Sequence, residues 1–230
     1  MSVLEGSFLG DLTPAEREEL AACGRVREFD RGEALFAEGE DPGWVAILLQ
    51  GRVKACAYRE DGGQTVLAVR GPGALLGEVG AIDGLPRSAT VTALEPVRAL
   101  AVTADEFMMF LQAHGRVSVL IMRMLCHRWR DADRKRVEFG MFDATGRVAQ
   151  RLVELAERFG VPYDRRTDAA GSDSVQITLN LSQEELAGWV GASREAVSKA
   201  LRTLRRHGWI ETGRRRLIVH DLQALRRHAR

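Results

Sequence analysis

Glu78 and Arg87 carry opposite charges within the small, apolar, glycine-rich stretch "LLGEVGAIDGLPRSATV", residues 75–91, whose one other charged residue is Asp83. A buried guanidinium without a partner is costly, since breaking a buried ion pair loses about 3–5 kcal/mol. The two charges therefore either pair with each other or serve a ligand. The chemistry favours a ligand. A guanidinium matches a phosphate bidentately, the Ser88 hydroxyl and backbone N–H groups near glycine add neutral donors, and a carboxylate accepts from a sugar hydroxyl. Anion donors beside one hydroxyl acceptor describe a ribose phosphate.

A second constellation lies near the C-terminus, in "LSQEELAGWVGASREAVSKALRTLRRHGWIETGRRRLIVHD". Ser182 with Glu185 makes a capping box that opens one helix. Ala187, Gly191 and Val197, at spacings of four and six, give the small, turn and core positions of a helix-turn-helix. Ser193 caps the second helix, whose buried stripe is Val197, Ala200, Leu201 and Leu204. That stripe turns Arg194, Glu195, Ser198, Lys199 and Arg202 outward. Arginine suits guanine O6 and N7, glutamate accepts from cytosine N4, and lysine donates to guanine. Cations and acceptors at a helix start are what entry into a major groove requires. Behind them, Trp209 to Val219 reads as a hairpin wing whose Arg214, Arg215 and Arg216 meet phosphates.

The elements that must carry these residues follow from period and punctuation. Thr13 and Pro14 start a helix over Pro14 to Cys23. Short apolar segments follow, Val45 to Leu49, Val53 to Tyr58, Thr65 to Val69 and Val97 to Val102, separated by glycine-rich turns. They predict an antiparallel roll or barrel, with Asp61-Gly62-Gly63 as the clearest hairpin signal. From Ala104 to about Phe139 the chain has no proline and reads as one long helix, with Val117, Leu120, Ile121, Met124 and Leu125 as its stripe. Such a helix outruns a small roll, so part of that stripe is expected to pack on a second copy as in a coiled coil. Asp143 caps a further helix, with Val148, Leu152, Leu155 and Phe159 on one face, closed by Gly160 and Pro162. The junction from Glu138 to Asp143, relaxed by Gly140, is the expected movable element, and 163–174 reads as a surface loop. The organisation is thus α+β: a sensor roll over 1–110, a dimerisation helix and hinge over 111–142, and a winged helix-turn-helix over 143–230.

Charge supports this division. Residues 1–110 carry 10 Lys+Arg against 18 Asp+Glu, a balance of −8, whereas 176–230 carry 11 against 5, a balance of +6. Cation is concentrated where a polyanion could be met. Cys23, Cys56 and Cys126 are scattered and form no CxxC pair or Cys/His cluster, which argues against disulfides, a metal site and an iron–sulfur cluster. No apolar run approaches a membrane span and the first residues do not read as a secretory signal, so the expectation is a cytoplasmic protein without membrane contact. No phosphate loop GxxxxGK, catalytic Ser/His/Asp order or metal-ligand spacing is present, and the chain does not read as an enzyme.

On these residues the chain resembles the CRP/FNR family of bacterial transcription regulators. The resemblance is carried by "RGEALFAEGE", "GRVKACAYREDGGQ", "GEVGAIDGLPRSA", "FDATGRVAQRL" and "LSQEELAGWVGASREAVSKALRTL". It implies a homodimer, joined through the long helix, that binds a palindromic operator in double-stranded DNA, with RNA polymerase as a further partner. It also implies a cyclic nucleotide, cyclic AMP or cyclic GMP, as effector. Gly77, Glu78 and Val79 would hold its ribose side and Arg87, Ser88 and Ala89 its phosphate. Arg194, Glu195 and Lys199 would read bases, supported by Ser193, Ser198 and Arg202, with Ser182 on a phosphate. The family's best-known member carries Arg where this chain has Lys199, so a fork is replaced by a point charge. The two positions that touch adenine in cyclic-AMP-responsive members fall at Ala132 and Asp133. Ala132 donates nothing. Asp133 accepts from an adenine amino group or from N1–H and N2–H₂ of guanine, so base preference is expected to shift toward guanine. Rival effectors are a cyclic dinucleotide, contacted by Arg128, Arg130 or Arg134, or none.

Overall fold

The computed structural model describes residues 6–58, 64–163, 174–179, 182–213 and 216–228. Its elements are α1 (Phe8–Asp11), α2 (Pro14–Ala22), β1 (Arg25–Phe29), β2 (Ala34–Phe36), β3 (Trp44–Gln50), β4 (Val53–Tyr58), β5 (Gln64–Arg70), β6 (Leu75–Leu76), α3 (Glu78–Asp83), β7 (Thr90–Ala93), β8 (Val97–Thr103), α4 (Ala104–Ala113), α5 (Gly115–Met141), α6 (Ala144–Phe159), β9 (Gly160–Pro162), β10 (Val175–Ile177), α7 (Gln183–Val190), α8 (Arg194–Arg206), β11 (Ile210–Gly213), β12 (Arg216–Val219) and α9 (Leu222–His228). Packing divides the chain into two compact units, Met1–Ala132 and Asp133–Arg230, and α5 contributes to both.

The first unit is a roll of two antiparallel four-stranded sheets, ordered β1-β8-β3-β6 and β2-β7-β4-β5. Alternation along β3 explains why Val45 to Leu48 are all buried. Val45 and Ile47 face a core with Leu20, Phe107, Val117 and Ile121, while Ala46 and Leu48 face one with Phe29, Phe36, Val53 and Val91. The strands read from the sequence are all present, each with its ends within a residue of expectation. Short strands β1, β2, β6 and β7 join them. Asp61-Gly62-Gly63 lies outside the described residues, between strands that pair antiparallel with Tyr58 opposite Gln64.

The long helix differs from expectation in two ways. It is not continuous from Ala104: α4 ends at Ala113, His114 leaves helical geometry at φ −118° and ψ 75°, and α5 starts at Gly115. Its predicted stripe belongs to the roll. Val117 and Ile121 are buried there, with Leu120, Met124 and Leu125 packed against the same core. Val119, Met122, Cys126 and Trp129, spaced three, four and three, lie exposed instead, Trp129 at 71%.

In the second unit the Asp143 side chain accepts from Gly146 N at 2.8 Å and starts α6, as the sequence predicted. Val148, Leu152 and Leu155 bury its inner face. β9 and β10 follow, then α7 and α8, and then β11 and β12, which complete a sheet ordered β11-β12-β10-β9 ahead of α9. Of the predicted loop only Tyr163 and Ser174 are described, joined by a 2.9 Å backbone bond. No helix among the described residues is long and apolar enough to cross a membrane.

Candidate ligand cassette and nucleic-acid interface

The cassette is built on a glycine. After β6 the chain turns at Gly77, whose φ of 79° is left-handed, and enters α3 at Glu78. A Cβ at Gly77 would lie 2.6 Å from Arg87 Nη1 and 3.0 Å from Phe36 Cζ, so no larger residue fits. The loop carrying Arg87 is pinned by backbone bonds, Arg87 N to Glu40 O at 2.8 Å and Gly39 N to Arg87 O at 2.9 Å.

Arg87 is only 5% exposed, yet its partners are neutral. Nη1 donates to Gly77 O at 2.9 Å, Nη2 donates to Trp44 O, and the guanidinium sits over the Phe36 ring, 4.1 Å from its centroid. Nε is buried and has no hydrogen-bond partner among the described residues. Burial draws the pKa of Arg87 below its ordinary value, and the fields of Glu40 and Glu78 oppose that shift.

Glu78 does not pair with Arg87. It is 1% exposed and accepts from Arg128 Nη1 on α5, while Arg128 Nη2 donates to Leu75 O at 2.9 Å. Of the two alternatives left open by the sequence, mutual pairing is therefore excluded. Val79 and Ser88 are exposed and Ala89 is half-buried beside them. Asp133 lies in the second unit, exposed, with Oδ1 3.7 Å from Arg136 Nη1; Ala132 is exposed as well.

The junction residues 138–143 are tied to the second unit by side chains. Buried Arg151 donates to Glu138 and to Glu154, and Gln150 Nε2 donates to Glu138 Oε1 at 3.3 Å. Arg147 donates to Phe142 O and Val190 O, both at 2.8 Å, joining the start of α6 to the end of α7. α5 passes through Gly140 unbroken.

α7 and α8 form the helix-turn-helix read from the sequence. The Ser182 hydroxyl accepts from Glu185 N at 3.1 Å and the Glu185 carboxylate accepts from Ser182 N at 2.8 Å, completing the capping box. Gly191, left-handed at φ 60°, makes the turn. The Ser193 hydroxyl accepts from Ala196 N at 3.2 Å and opens α8. Val197, Ala200, Leu201 and Leu204 are buried, which leaves Arg194, Glu195, Lys199 and Arg202 exposed and Ser198 half-buried, accepting from Arg202 Nη1 at 3.1 Å. The Glu195 backbone amide and the Ser193 hydroxyl hold the Glu195 carboxyl below its ordinary pKa, so it remains an acceptor. In the wing Arg216 donates to Glu211; Arg214 and Arg215 lie outside the described residues.

Sequence reasoning missed Arg128 as a partner of Glu78, Phe36 and Trp44 beside Arg87, and Arg147 at the junction. Apart from the bond of Arg147 to Phe142, each contact joins residues remote in the chain. The one local signal was aromatic, Phe36 and Trp44 flanking the turn "AEGEDPG".

Comparison with known proteins finds a family match over each of the two regions. The cyclic nucleotide-binding domain family matches residues 26–114, and the Crp-like helix-turn-helix domain family matches residues 146–228. A CRP-like cAMP-activated global transcriptional regulator of Mycobacterium tuberculosis is 34% identical over 203 residues, covering 88% of this chain and 87% of that protein. A CRP-family transcriptional regulator of Thermus thermophilus superposes with a TM-score of 0.71 at 28% identity, covering 88% of this chain and 96% of that one. The c-di-GMP-responsive regulator CLP of Xanthomonas campestris shares the fold, with a TM-score of 0.75 at 21% identity over 91% of this chain and 100% of that one. A cyclic nucleotide-binding roll followed by a Crp-like helix-turn-helix places the chain in the CRP/FNR family of transcriptional regulators.

Proposed function

We propose that the protein is a homodimer that binds a two-fold symmetric operator in duplex DNA, and that a cyclic nucleotide held in the roll controls its DNA affinity. The observation that carries the effector reading is Arg87: a buried guanidinium whose hydrogen-bond partners are neutral and whose Nε–H is unbonded among the described residues is a cation waiting for an anion. Arg87 and the Ser88 hydroxyl take the cyclic phosphate, with Ala89 beside them. Gly77, Glu78 and Val79 line the ribose side, and Arg128, donating to Glu78, holds its carboxylate toward a sugar hydroxyl. Asp133 contacts the base. On the DNA side Arg194, Glu195 and Lys199 meet base edges, with Ser182, Ser193, Ser198 and Arg202 supporting or contacting the backbone. Val119, Met122, Cys126 and Trp129 have the three-four spacing of a coiled-coil seam and form the face of α5 that meets the second copy. RNA polymerase is the further partner of a cytoplasmic regulator of this kind, and the protein catalyses no reaction itself.

Calorimetry with cyclic AMP and cyclic GMP, on the native chain and on Asp133→Ala, tests this reading. Both nucleotides are expected to bind, with the preference for cyclic GMP relative to cyclic AMP reduced several-fold in the variant. A tenfold change in operator affinity on nucleotide addition corresponds to about 1.4 kcal/mol of coupling. Identical binding by the variant removes Asp133 from the site. A response to a cyclic dinucleotide but to neither mononucleotide replaces the proposed effector.

A further inference from the structure

We infer that Phe36, braced by Trp44, is the positioning residue for the guanidinium of Arg87. The inference rests on reading the roll as a cyclic-nucleotide site. Phe36 is buried, ends β2 opposite Val91 of β7, and offers its ring to Arg87 at 4.1 Å. The Trp44 ring packs against it, 4.5 Å between centroids and 51° between planes. Trp44 is held in turn by Phe29, parallel to within 3°, and by the Arg27 guanidinium 4.7 Å above it. Gly77 leaves the room this requires, since a Cβ there would approach Phe36 Cζ to 3.0 Å.

The geometry has a chemical consequence. A cation resting on a ring face is stabilised by the ring quadrupole and spends no N–H on it. Phe36 therefore fixes the long, mobile side chain of Arg87 while its donors stay available. Nε is unbonded, and Nη1 and Nη2 are held by single carbonyls, Gly77 O and Trp44 O, that a charged phosphate oxygen outcompetes. Phosphate binding then costs less side-chain ordering than it would from a solvated arginine.

Two replacements at position 36 of the full-length protein test the idea, each titrated with cyclic AMP and cyclic GMP. Phe36→Leu removes the ring. 3,5-Difluorophenylalanine keeps its shape, leaves Cζ unsubstituted toward Gly77, and weakens the quadrupole. Leucine is expected to weaken nucleotide binding about fivefold and the fluorinated ring about twofold, with the melting temperature of the fluorinated protein unchanged. Binding by the fluorinated protein as tight as native, or tighter, overturns the positioning role whatever leucine does to folding. If the native chain binds neither nucleotide, the effector reading itself fails and the positioning role with it. Native binding with an unmoved fluorinated variant overturns the positioning role alone.

Discussion

The cations of the two units sit in opposite surroundings. Arg87 is enclosed by a glycine, two backbone carbonyls and an aromatic ring, and its site is made by β2, β3, β6 and the loop before β7. Arg194, Lys199 and Arg202 stand in water on one face of a single capped helix. An enclosed cation with unused donors suits a small anion that it can grip along one edge, as proposed for the roll. A row of solvated cations recognises an extended one, and gains from released counterions. The difference also sets how each site responds to damage: the first depends on packing from several strands, the second on a helix face that packing merely presents.

Breaking the exposed side has the largest expected effect. Arg194→Ala with Lys199→Ala is expected to lower operator affinity about 1000-fold, from about 1–3 kcal/mol for each base contact, and to flatten the salt dependence of binding. Nucleotide affinity measured by calorimetry on the same variant should not change. Retained operator binding would mean that α8 is not the reading element. Arg87→Met, which keeps the stem and removes the fork, is expected to weaken cyclic-nucleotide binding about 100-fold, the worth of two hydrogen bonds to a charged group. Its DNA affinity without nucleotide should match that of the native chain, as read by fluorescence anisotropy.

A smaller effect sharpens the contrast between fixed and solvated charge. Glu16 belongs to the capping box of α2 and also accepts from Arg116 of α5, through Nε at 2.9 Å and through Nη2. The Arg116 hydrogen bond is the main cause that holds its pKa down to about 2, against burial. A carboxyl depressed on folding adds stability above its unfolded pKa of about 4.3, and that stability is lost as pH falls toward the folded value. Glu16→Gln should therefore cost about 1–2 kcal/mol at pH 7 in urea unfolding, with the deficit shrinking between about pH 4.3 and pH 2. A deficit independent of pH would show that the cap, and not the ion pair, holds α2.

What was legible in the sequence follows the range of the interactions. The Ser182 capping box, the Gly191 turn and the inner face of α8 are written within a few residues of each other, and the structure has them where spacing put them. The cassette was legible as chemistry, an acid, a base and glycines in an apolar stretch, but its partners were not. Arg128 reaches Glu78 across fifty positions, and Phe36 reaches Arg87 across fifty-one, so no local period announces either. The stripe of α5 shows a different limit. Periodicity correctly marked Val117, Ile121 and Leu125 as a face to be covered, but it carries no label for the covering surface. The roll packs against that face, and a second set of residues around Trp129 is exposed, the set proposed above to meet a second copy. The break at His114 escaped because one residue leaving helical geometry between two good helices barely disturbs an apolar pattern.

The bond between Glu78 and Arg128 binds the histories of two distant codons. A mutation that neutralises Arg128 strands a carboxylate with 1% of its surface in water, a loss of about 3–5 kcal/mol that a domain of ordinary stability barely survives. Drift at either position is therefore allowed only in step with the other. A lineage without the proposed sugar contact is expected to lose acid and base together, leaving an apolar pair in their place.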